Sequence, residues 1–347
     1  MTRIFEYGEL FLKAIIIKKP FEISVEDISM PEIGQGELLI KVKAVGICAS
    51  EVHAFQGTHP FRIPPIVSGH EFSGEVVKVG DSVSNFMVGD RVTVFPIITC
   101  GSCEYCLSGK NNLCDERKVL GTAQWPGPFG EYVKAPHTVV YKIPDDITFD
   151  EGALIEPLAV GLHTFRRANI EQGQAIAIFG SGAIGLSTLI IAKYFGAKVL
   201  VIEPVEFKAN LAKRLGADII INPLTHEIKK ILSETFPKGV DAAVDCAGAK
   251  SSLLNAIEVV KKGGRVIVTA LFKEKVEIDP LTVMLREINI LGSQMYTSEE
   301  FKQAISLSCK VRDRLRQLIT YKMNFEQAKE AFKLMLGNKA VRVILYP

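Results

Sequence analysis

Between residues 172 and 291, short apolar runs alternate with stretches of helical spacing, and few folds accommodate that rhythm. The runs fall at 175–179, 198–202, 218–221, 240–244, 265–269 and 289–291, with helical spacing between them, for example at 207–215 and 253–260. Continuous apolar runs of this length read as strands buried on both faces. Strands alternating with helices imply a parallel sheet covered by helices on each side. The first run leads directly into Gly180-Ser-Gly182-Ala183-Ile184-Gly185, which opens a helix at 186–195. In that setting each glycine has a physical task. Gly180 permits the tight turn, Gly182 lets the backbone approach a pyrophosphate at the helix N-terminus, and Gly185 allows close helix–strand packing. The second run ends at Glu203, 18 residues after Gly185. A carboxylate there accepts ribose hydroxyls and repels a 2′-phosphate. No Arg follows it, although Lys208 is near, so NAD is favoured over NADP. The uncharged stretch 172–192 divides into strand, glycine turn and helix, and so does not read as a membrane span.

Up to about residue 155 the style is different. Runs at 37–45, 75–79, 90–94 and 131–134 alternate apolar with polar residues and are broken by Gly and Pro, as in antiparallel strands with one buried face. After about residue 295 come a helical stretch, a second helix near 325–336 and a final strand at 341–346, and periodicity does not assign this tail to either part. At roughly 150 residues per domain, 347 residues suggest two domains. Net charge is only +2, which offers no concentrated basic field for nucleic acid or a membrane surface. Glu6 and Glu9 interrupt the apolar stretch a leader would need, so a cytoplasmic location is expected.

Seven cysteines are an odd number, too few for a disulfide scaffold of this length. Cys100, Cys103, Cys106 and Cys114 form C-x2-C-x2-C-x7-C in a Gly/Ser/Asn-rich loop. Four thiolates on one loop can close a tetrahedral shell, the arrangement of a structural zinc site. An iron–sulfur run would end with a spacing of about three before Pro, whereas here the last spacing is seven and Asp115 follows. Cys48 stands apart, in Gly46-Ile-Cys48-Ala-Ser50-Glu-Val-His53. Gly69-His70-Glu71 follows it, and Glu156-Pro157 lies further on. One Cys, one His and one or two carboxylates can make an open zinc site, though spacing alone does not establish it. Cys246 and Cys309 lie in apolar stretches and are expected as buried thiols. His59, His137 and His226 carry no motif. Lys261-Lys262 before Gly263-Gly264 reads as a helix C-terminus.

Together these motifs resemble the zinc-containing medium-chain alcohol dehydrogenases, in the branch with polyol and threonine dehydrogenases. The carrying segments are Gly46-Ile-Cys48-x-Ser50-x-x-His53, Gly69-His70-Glu71-x-x-Gly74, the four-Cys loop, Glu156-Pro-Leu-Ala-Val-Gly161 and the Gly180 turn, in family order over most of the chain. The resemblance implies an α/β fold, with a Rossmann domain (155–294) inserted in a GroES-like β-rich catalytic domain (1–154 and 295–347) and the active site in the cleft between them. It implies two zinc ions per chain. Cys48 and His70 would ligate the catalytic one, with Glu71 and Glu156 sharing or exchanging the remaining position. Ser50 would receive the substrate proton, His53 pass it to solvent, Glu51 orient His70, and Arg342 contact the cofactor pyrophosphate. The implied reaction oxidises a secondary alcohol of a sugar alcohol, sugar acid or related polyol to a ketone, in a homotetramer or homodimer.

One stretch departs from that branch, which places an Arg after the position of Gly292. Here Ser293-Gln294-Met-Tyr296-Thr follows, with no Arg between Arg286 and Arg312. This weakens sorbitol and threonine as substrates and keeps short diols open, while Gln294 or Tyr296 could bind hydroxyls. A non-enzymatic zinc module would carry basic and aromatic residues in its loop, but between Cys100 and Cys114 there are one Lys, one Glu and one Tyr. A zinc-free reductase would need neither cysteine set.

Overall fold

The computed structural model describes residues 3–4 and 10–347; Glu6 and Glu9 lie outside the described residues. The chain divides into two compact units. One comprises the residues up to Glu156 with Thr297–Arg312 and Leu318–Pro347, and the other Pro157–Tyr296 with Asp313–Gln317.

The second unit contains a six-stranded sheet in the order Ile219–Ile221, Lys198–Ile202, Ala175–Phe179, Val240–Asp245, Val260–Val268 and Asn289–Gly292, every pair parallel. The Ile, Val and Ala side chains explain the parallel arrangement, because both faces must be covered. Ile176, Ala177, Ile178, Val199, Leu200 and Val201 are all fully buried. Chain order runs outward in both directions from Ala175–Phe179. The reversal leaves a crevice at the carboxyl ends of the strands, where open α/β sheets bind ligands. The glycine turn sits at that end of the first strand.

One strand starts earlier than the apolar pattern indicates. The helix Lys250–Val259 passes straight into strand Val260–Val268. Val260 pairs with Val240, and register resumes at Ala242↔Arg265, so the intervening residues bulge. Lys261 and Lys262 therefore lie in the strand rather than at a helix end, and Lys261 pairs with Asp241.

In the first unit a mixed sheet runs Val140–Lys142, Arg91–Val94, Glu71–Val79, Glu37–Gly46, Arg342–Tyr346 and Ile319–Asn324, with Tyr132–Pro136 also pairing Glu37–Gly46. The tail joins because Ile344 and Leu345 pair antiparallel with Gly46 and Val45, while Arg342–Tyr346 runs parallel to Ile319–Asn324. Helix Ala328–Leu336 sets the fully buried Phe332 5.3 Å from the Phe55 ring and 6.1 Å from Phe129. Aromatic pairs of this kind add about 0.5–1.5 kcal/mol beyond area burial, and here they anchor the end of helix Ala49–Phe55.

All seven cysteines are free thiols. Cys246 and Cys309 are only partly buried, contrary to the expectation of core thiols. Cys246 follows Asp245 at the carboxyl end of the central strand Val240–Asp245. Cys309 faces Asp146 from a helix surface, at 3.8 Å. Among the described residues no helix is long and apolar enough to cross a membrane.

Candidate metal centres and nucleotide turn

Strand register builds the first centre. Gly46 at the end of one strand pairs with Glu71 at the start of its neighbour, so Cys48 and His70 meet just beyond the sheet. Cys48 is the N-cap of helix Ala49–Phe55, and its amide donates to Glu51 Oε2 at 2.9 Å. The other oxygen, Glu51 Oε1, lies 2.9 Å from His70 Nδ1. With Nδ1–H donating to this carboxylate, the Nε2 lone pair is left for an ion. Ligand atoms of Cys48, Glu51 and His70 lie within 4.8 Å of one another, as do those of His70, Glu71 and Glu156. His70 is the shared member. Glu156 comes from the first turn of helix Ile155–Ala168.

Sequence reasoning missed Arg62 and the role of Ser68. Arg62 is 5% exposed. Its Nη2 lies 3.1 Å from His70 Nδ1, its Nε 3.6 Å from Glu51 Oε1, and Nη1 donates to Leu120 O at 3.0 Å. Ser68 Oγ donates to Glu51 Oε1 at 3.2 Å. Nothing in the motif marks Arg62, which precedes His70 by eight residues in an irregular loop. His59 caps that loop, its Nδ1 accepting from the amides of Phe61 and Arg62.

Arg342 is 1% exposed, donating from Nη1 to Ile47 O at 2.6 Å and placing Nη2 3.0 Å from Glu71 Oε1. The angles of that ion pair do not make a hydrogen bond. Both Glu71 oxygens, together with Arg342 Nε and Nη2, therefore stay buried without a hydrogen-bond partner. Ser50 Oγ is likewise buried with no partner. His53, one helical turn on, is half-buried with Nδ1 3.4 Å from Thr58 Oγ1.

Charge bookkeeping fits a divalent cation. With His70 neutral and the other ligands deprotonated, as metal binding requires, Cys48, Glu51, Glu71 and Glu156 face two guanidinium groups, Arg62 and Arg342, which leaves two negative charges for the ion. Burial pushes the Glu71 carboxyl well above its ordinary range, with Cys48 and Glu156 adding repulsion that Arg342 only partly offsets. Glu51 goes the other way. Burial opposes its ionisation, but the charges of His70 and Arg62 outweigh burial and bring it down to about 2. For Cys48, burial raises the thiol, and the hydrogen bond and charge of His70 overcome it, giving about 7. A sulfur, an imidazole nitrogen and carboxylate oxygens suit zinc, and the Glu71 oxygens, ion-paired to Arg342 but accepting no hydrogen bond, keep lone pairs for it.

A pH dependence follows. Ligands must lose their protons before they bind metal, and both the Cys48 thiol and His70, raised well above its ordinary value in the metal-free protein, hold protons on the acid side. Zinc occupancy of this centre at limiting zinc is expected to fall as pH drops below about 7, with proton release on zinc addition. Zinc stoichiometry across pH 5.5–8.5 checks this; flat occupancy would refute it.

In the second centre, ligand atoms of Cys100, Cys103, Cys106 and Cys114 all lie within 4.8 Å of one another. Sulfur–sulfur distances of 3.9 Å (Cys100–Cys106) and 3.6 Å (Cys100–Cys114) match the edge of a ZnS4 tetrahedron, about 3.8 Å for Zn–S bonds of about 2.3 Å. They are far too long for disulfides. Amides of Cys103 and Cys114's neighbour Cys100 point at thiol sulfurs (Cys103 N to Cys100 Sγ 3.4 Å, Cys100 N to Cys114 Sγ 3.5 Å). Backbone donors from Ser102 and Cys103 bring Cys100 down to about 6. Four thiolates leave no open position, so this centre is structural in character.

In the second unit, Gly180 has φ +92° after the buried strand Ala175–Phe179. Gly182 is the N-cap of helix Ala183–Tyr194, with no side chain capping it and no atom within 4 Å of where a Cβ would sit. The start of the helix at Gly182 thus borders open space, which suits a pyrophosphate on the first-turn amides. A Cβ on Gly185 would lie 2.0 Å from Gly180 O. Glu203 is 5% exposed; its Oε2 accepts from Ser181 N (2.7 Å) and Ser181 Oγ (2.9 Å), and its Oε1 from Val205 N (2.9 Å). Ser181, unremarked in the sequence, ties the glycine turn to that carboxylate. Lys208 is buried, which lowers its pKa against the opposing pull of Glu203. Of the two hydroxyl-binding candidates, Tyr296 is fully buried and Gln294 exposed.

A buried cluster of zinc-ligand type around His70, a four-thiolate site and a glycine turn at a helix N-terminus are the parts of a metal- and nicotinamide-dependent dehydrogenase. Residues 34–145 match the alcohol dehydrogenase GroES-like domain and residues 183–310 the zinc-binding dehydrogenase family. Sorbitol dehydrogenase of Bacillus subtilis (strain 168) is 35% identical over 345 residues, covering 97% of each chain. Two solved structures superpose with TM-score 0.90 and cover 97% of this chain and 99% of their own. They are 2R,3R-butanediol dehydrogenase from Bacillus subtilis, 31% identical, and a zinc-binding dehydrogenase from Sinorhizobium meliloti 1021 bound to NADP, 32% identical. The chain belongs to the zinc-containing medium-chain alcohol dehydrogenase family, and it is an alcohol dehydrogenase acting on a small-molecule substrate.

Proposed function

We propose that this enzyme oxidises a secondary alcohol of a sugar alcohol or related polyol to the ketone, with NAD as hydride acceptor. The observation that carries the proposal is the pair of ligand triads sharing His70, Cys48–Glu51–His70 and His70–Glu71–Glu156, with the buried Ser50 hydroxyl two residues from Cys48 lacking a hydrogen-bond partner. Identity to a sorbitol dehydrogenase favours a polyol. The absence of an Arg after Gly292 keeps a short diol as the second reading, in line with the butanediol dehydrogenase likeness.

Bound zinc, held by Cys48, His70 and either Glu71 or Glu156, supplies Lewis-acid polarisation of the alcohol oxygen, and NAD supplies the hydride acceptor. The chain's own residues do the rest. Ser50 Oγ, with no competing partner, accepts the hydroxyl proton, and His53 on the same helix face passes it outward. Glu51 holds the His70 ring. Gly180, Gly182, Ala183, Ile184 and Gly185 receive the pyrophosphate on backbone amides. Glu203 takes the ribose hydroxyls and disfavours a 2′-phosphate, with Lys208 beside it. Arg342 acts on Glu71 as counter-ion, its Nη2 3.0 Å from Glu71 Oε1.

Four cysteines arranged as a thiolate metal site and not as disulfides support a reducing, cytoplasmic location. Leu281, Met284 and Leu285, exposed on one face of helix Pro280–Arg286, support self-association as a homotetramer or homodimer, which sedimentation velocity distinguishes. The test of the reaction is an NAD-reduction screen over sugar alcohols, sugar acids, short diols and amino alcohols. Polyols are expected to give the highest kcat/KM. Turnover confined to butanediol-type substrates would replace the first reading by the second.

A further inference from the structure

We propose that Arg62 is a positioning residue for the first metal centre, its guanidinium holding Glu51, and through Glu51 the His70 ring, so that Nε2 faces the ion. This rests on the reading that Cys48, His70 and a neighbouring carboxylate hold zinc.

Glu51 is fully buried, and a glutamate side chain has three torsions to fix. Oε2 is tied to the Cys48 amide. Oε1 is shared by His70 Nδ1 (2.9 Å), Ser68 Oγ (3.2 Å) and Arg62 Nε (3.6 Å). Of these only Arg62 carries a fixed positive charge, because His70 is neutral when it ligates a metal. Arg62 is therefore the counter-ion that keeps an ionised carboxylate behind the ring. Its own place is set from the far side, where Nη1 donates to the carbonyls of Leu120 and Gly121 and lies 3.4 Å from Ser68 Oγ. These acceptors belong to the segment that follows the four-Cys loop. A Cβ on Gly121 would fall 2.5 Å from Nη1, so the guanidinium fills its slot.

Without Arg62 a buried carboxylate has no charge partner and leaves its position rather than stay unpaired. The ring then loses the acceptor that orients it. Losing such a partner behind a ligating His costs about 10- to 100-fold in metal affinity.

The experiment measures zinc withdrawal from the zinc-loaded full chain by a chromogenic chelator, comparing wild type with Arg62→Met and Arg62→Lys. The Cys48→Ser variant identifies which of the two release phases belongs to the first centre. In Arg62→Met that phase is expected to accelerate about 10- to 100-fold, while the four-Cys phase keeps its rate. Arg62→Lys is expected to fall between, since an ammonium keeps the charge but cannot span the same acceptors. In a Glu51→Gln background, where no carboxylate needs a counter-ion, adding Arg62→Met is expected to change the rate less than about twofold. Should Arg62→Met not fold, Arg62→Lys carries the comparison alone in both backgrounds, with the same expected direction. Unchanged release from the first centre overturns the proposal. So does equal acceleration of both phases, which means general loosening, or an undiminished effect in the Glu51→Gln background. If wild type shows a single phase that Cys48→Ser does not alter, the underlying metal reading fails, and this inference with it.

Discussion

Replacing Cys48 by Ser is expected to halve the zinc content from two ions per chain to one and to lower kcat/KM by about 10³-fold. A serine hydroxyl does not ionise near neutral pH, so it cannot replace the thiolate that faces His70. The remaining carboxylates then have to satisfy the ion with fewer and harder donors. Lewis-acid stabilisation is worth several kcal/mol, and each 1.36 kcal/mol is a factor of about ten in rate. Two readouts should stay put. Zinc in the four-Cys loop is held by other residues, and NADH affinity depends on the Gly180 turn in the second unit. Metal analysis, NADH titration and steady-state kinetics on one preparation check all three. Full activity with a single zinc would remove Cys48 from the reaction.

Gly185→Ala is expected to damage stability and cofactor binding together. Its Cβ would stand 2.0 Å from Gly180 O and 3.1 Å from Gly180 C, both backbone atoms that no side-chain rotation can move. Ile178 Cγ2 at 3.3 Å closes another direction. Helix Ala183–Tyr194 has to lift from the strand, at a cost of about 1–3 kcal/mol. That corresponds to a fall in Tm of about 1–4 °C per kcal/mol, the larger value if the second unit melts by itself. The lift also withdraws the first-turn amides from the pyrophosphate, and NADH affinity is expected to drop at least about tenfold, which needs only about 1.4 kcal/mol. Gly182→Ala separates the two effects. Its Cβ meets no atom within 4 Å, so Tm should hold while the methyl occupies the space the ligand needs. Wild-type Tm and affinity in Gly185→Ala would show that the turn tolerates a side chain and that close packing is not its task.

The parallel sheet was legible because its strands are apolar on both faces and its helices are not, a contrast that survives without knowledge of neighbours. Strands 175–179 and 198–202 carry the same bounds in sequence and structure. The strand beginning at Val260 was not legible. Lys261, Lys262 and two glycines look like a helix end, yet the Val240↔Val260 pair and the bulge after it draw them into the sheet. Cys246 and Cys309 misled for a related reason: apolar neighbours in sequence do not bury a residue that sits at a strand end or on an outward helix face.

The sites divide along the same line. The four-Cys loop and the glycine turn are local. Their residues lie within a stretch of 15 residues, Cys100 to Cys114, or less, and chain connectivity alone keeps them close, so spacing suffices to read them. The first metal centre joins residues 48, 70, 71 and 156, and only the Gly46↔Glu71 register and the start of helix Ile155–Ala168 bring them together. Arg62, Ser68 and Ser181 have no motif at all. Their roles arise because buried carboxylates, Glu51 and Glu203, must find donors wherever the packed chain supplies them. From its sequence alone this chain is a two-part dehydrogenase with one closed thiolate site and one dinucleotide turn. Which buried charges answer one another behind Cys48 and His70 was decided by tertiary packing, because a charge removed from water takes the nearest partner in space, and sequence distance does not measure that.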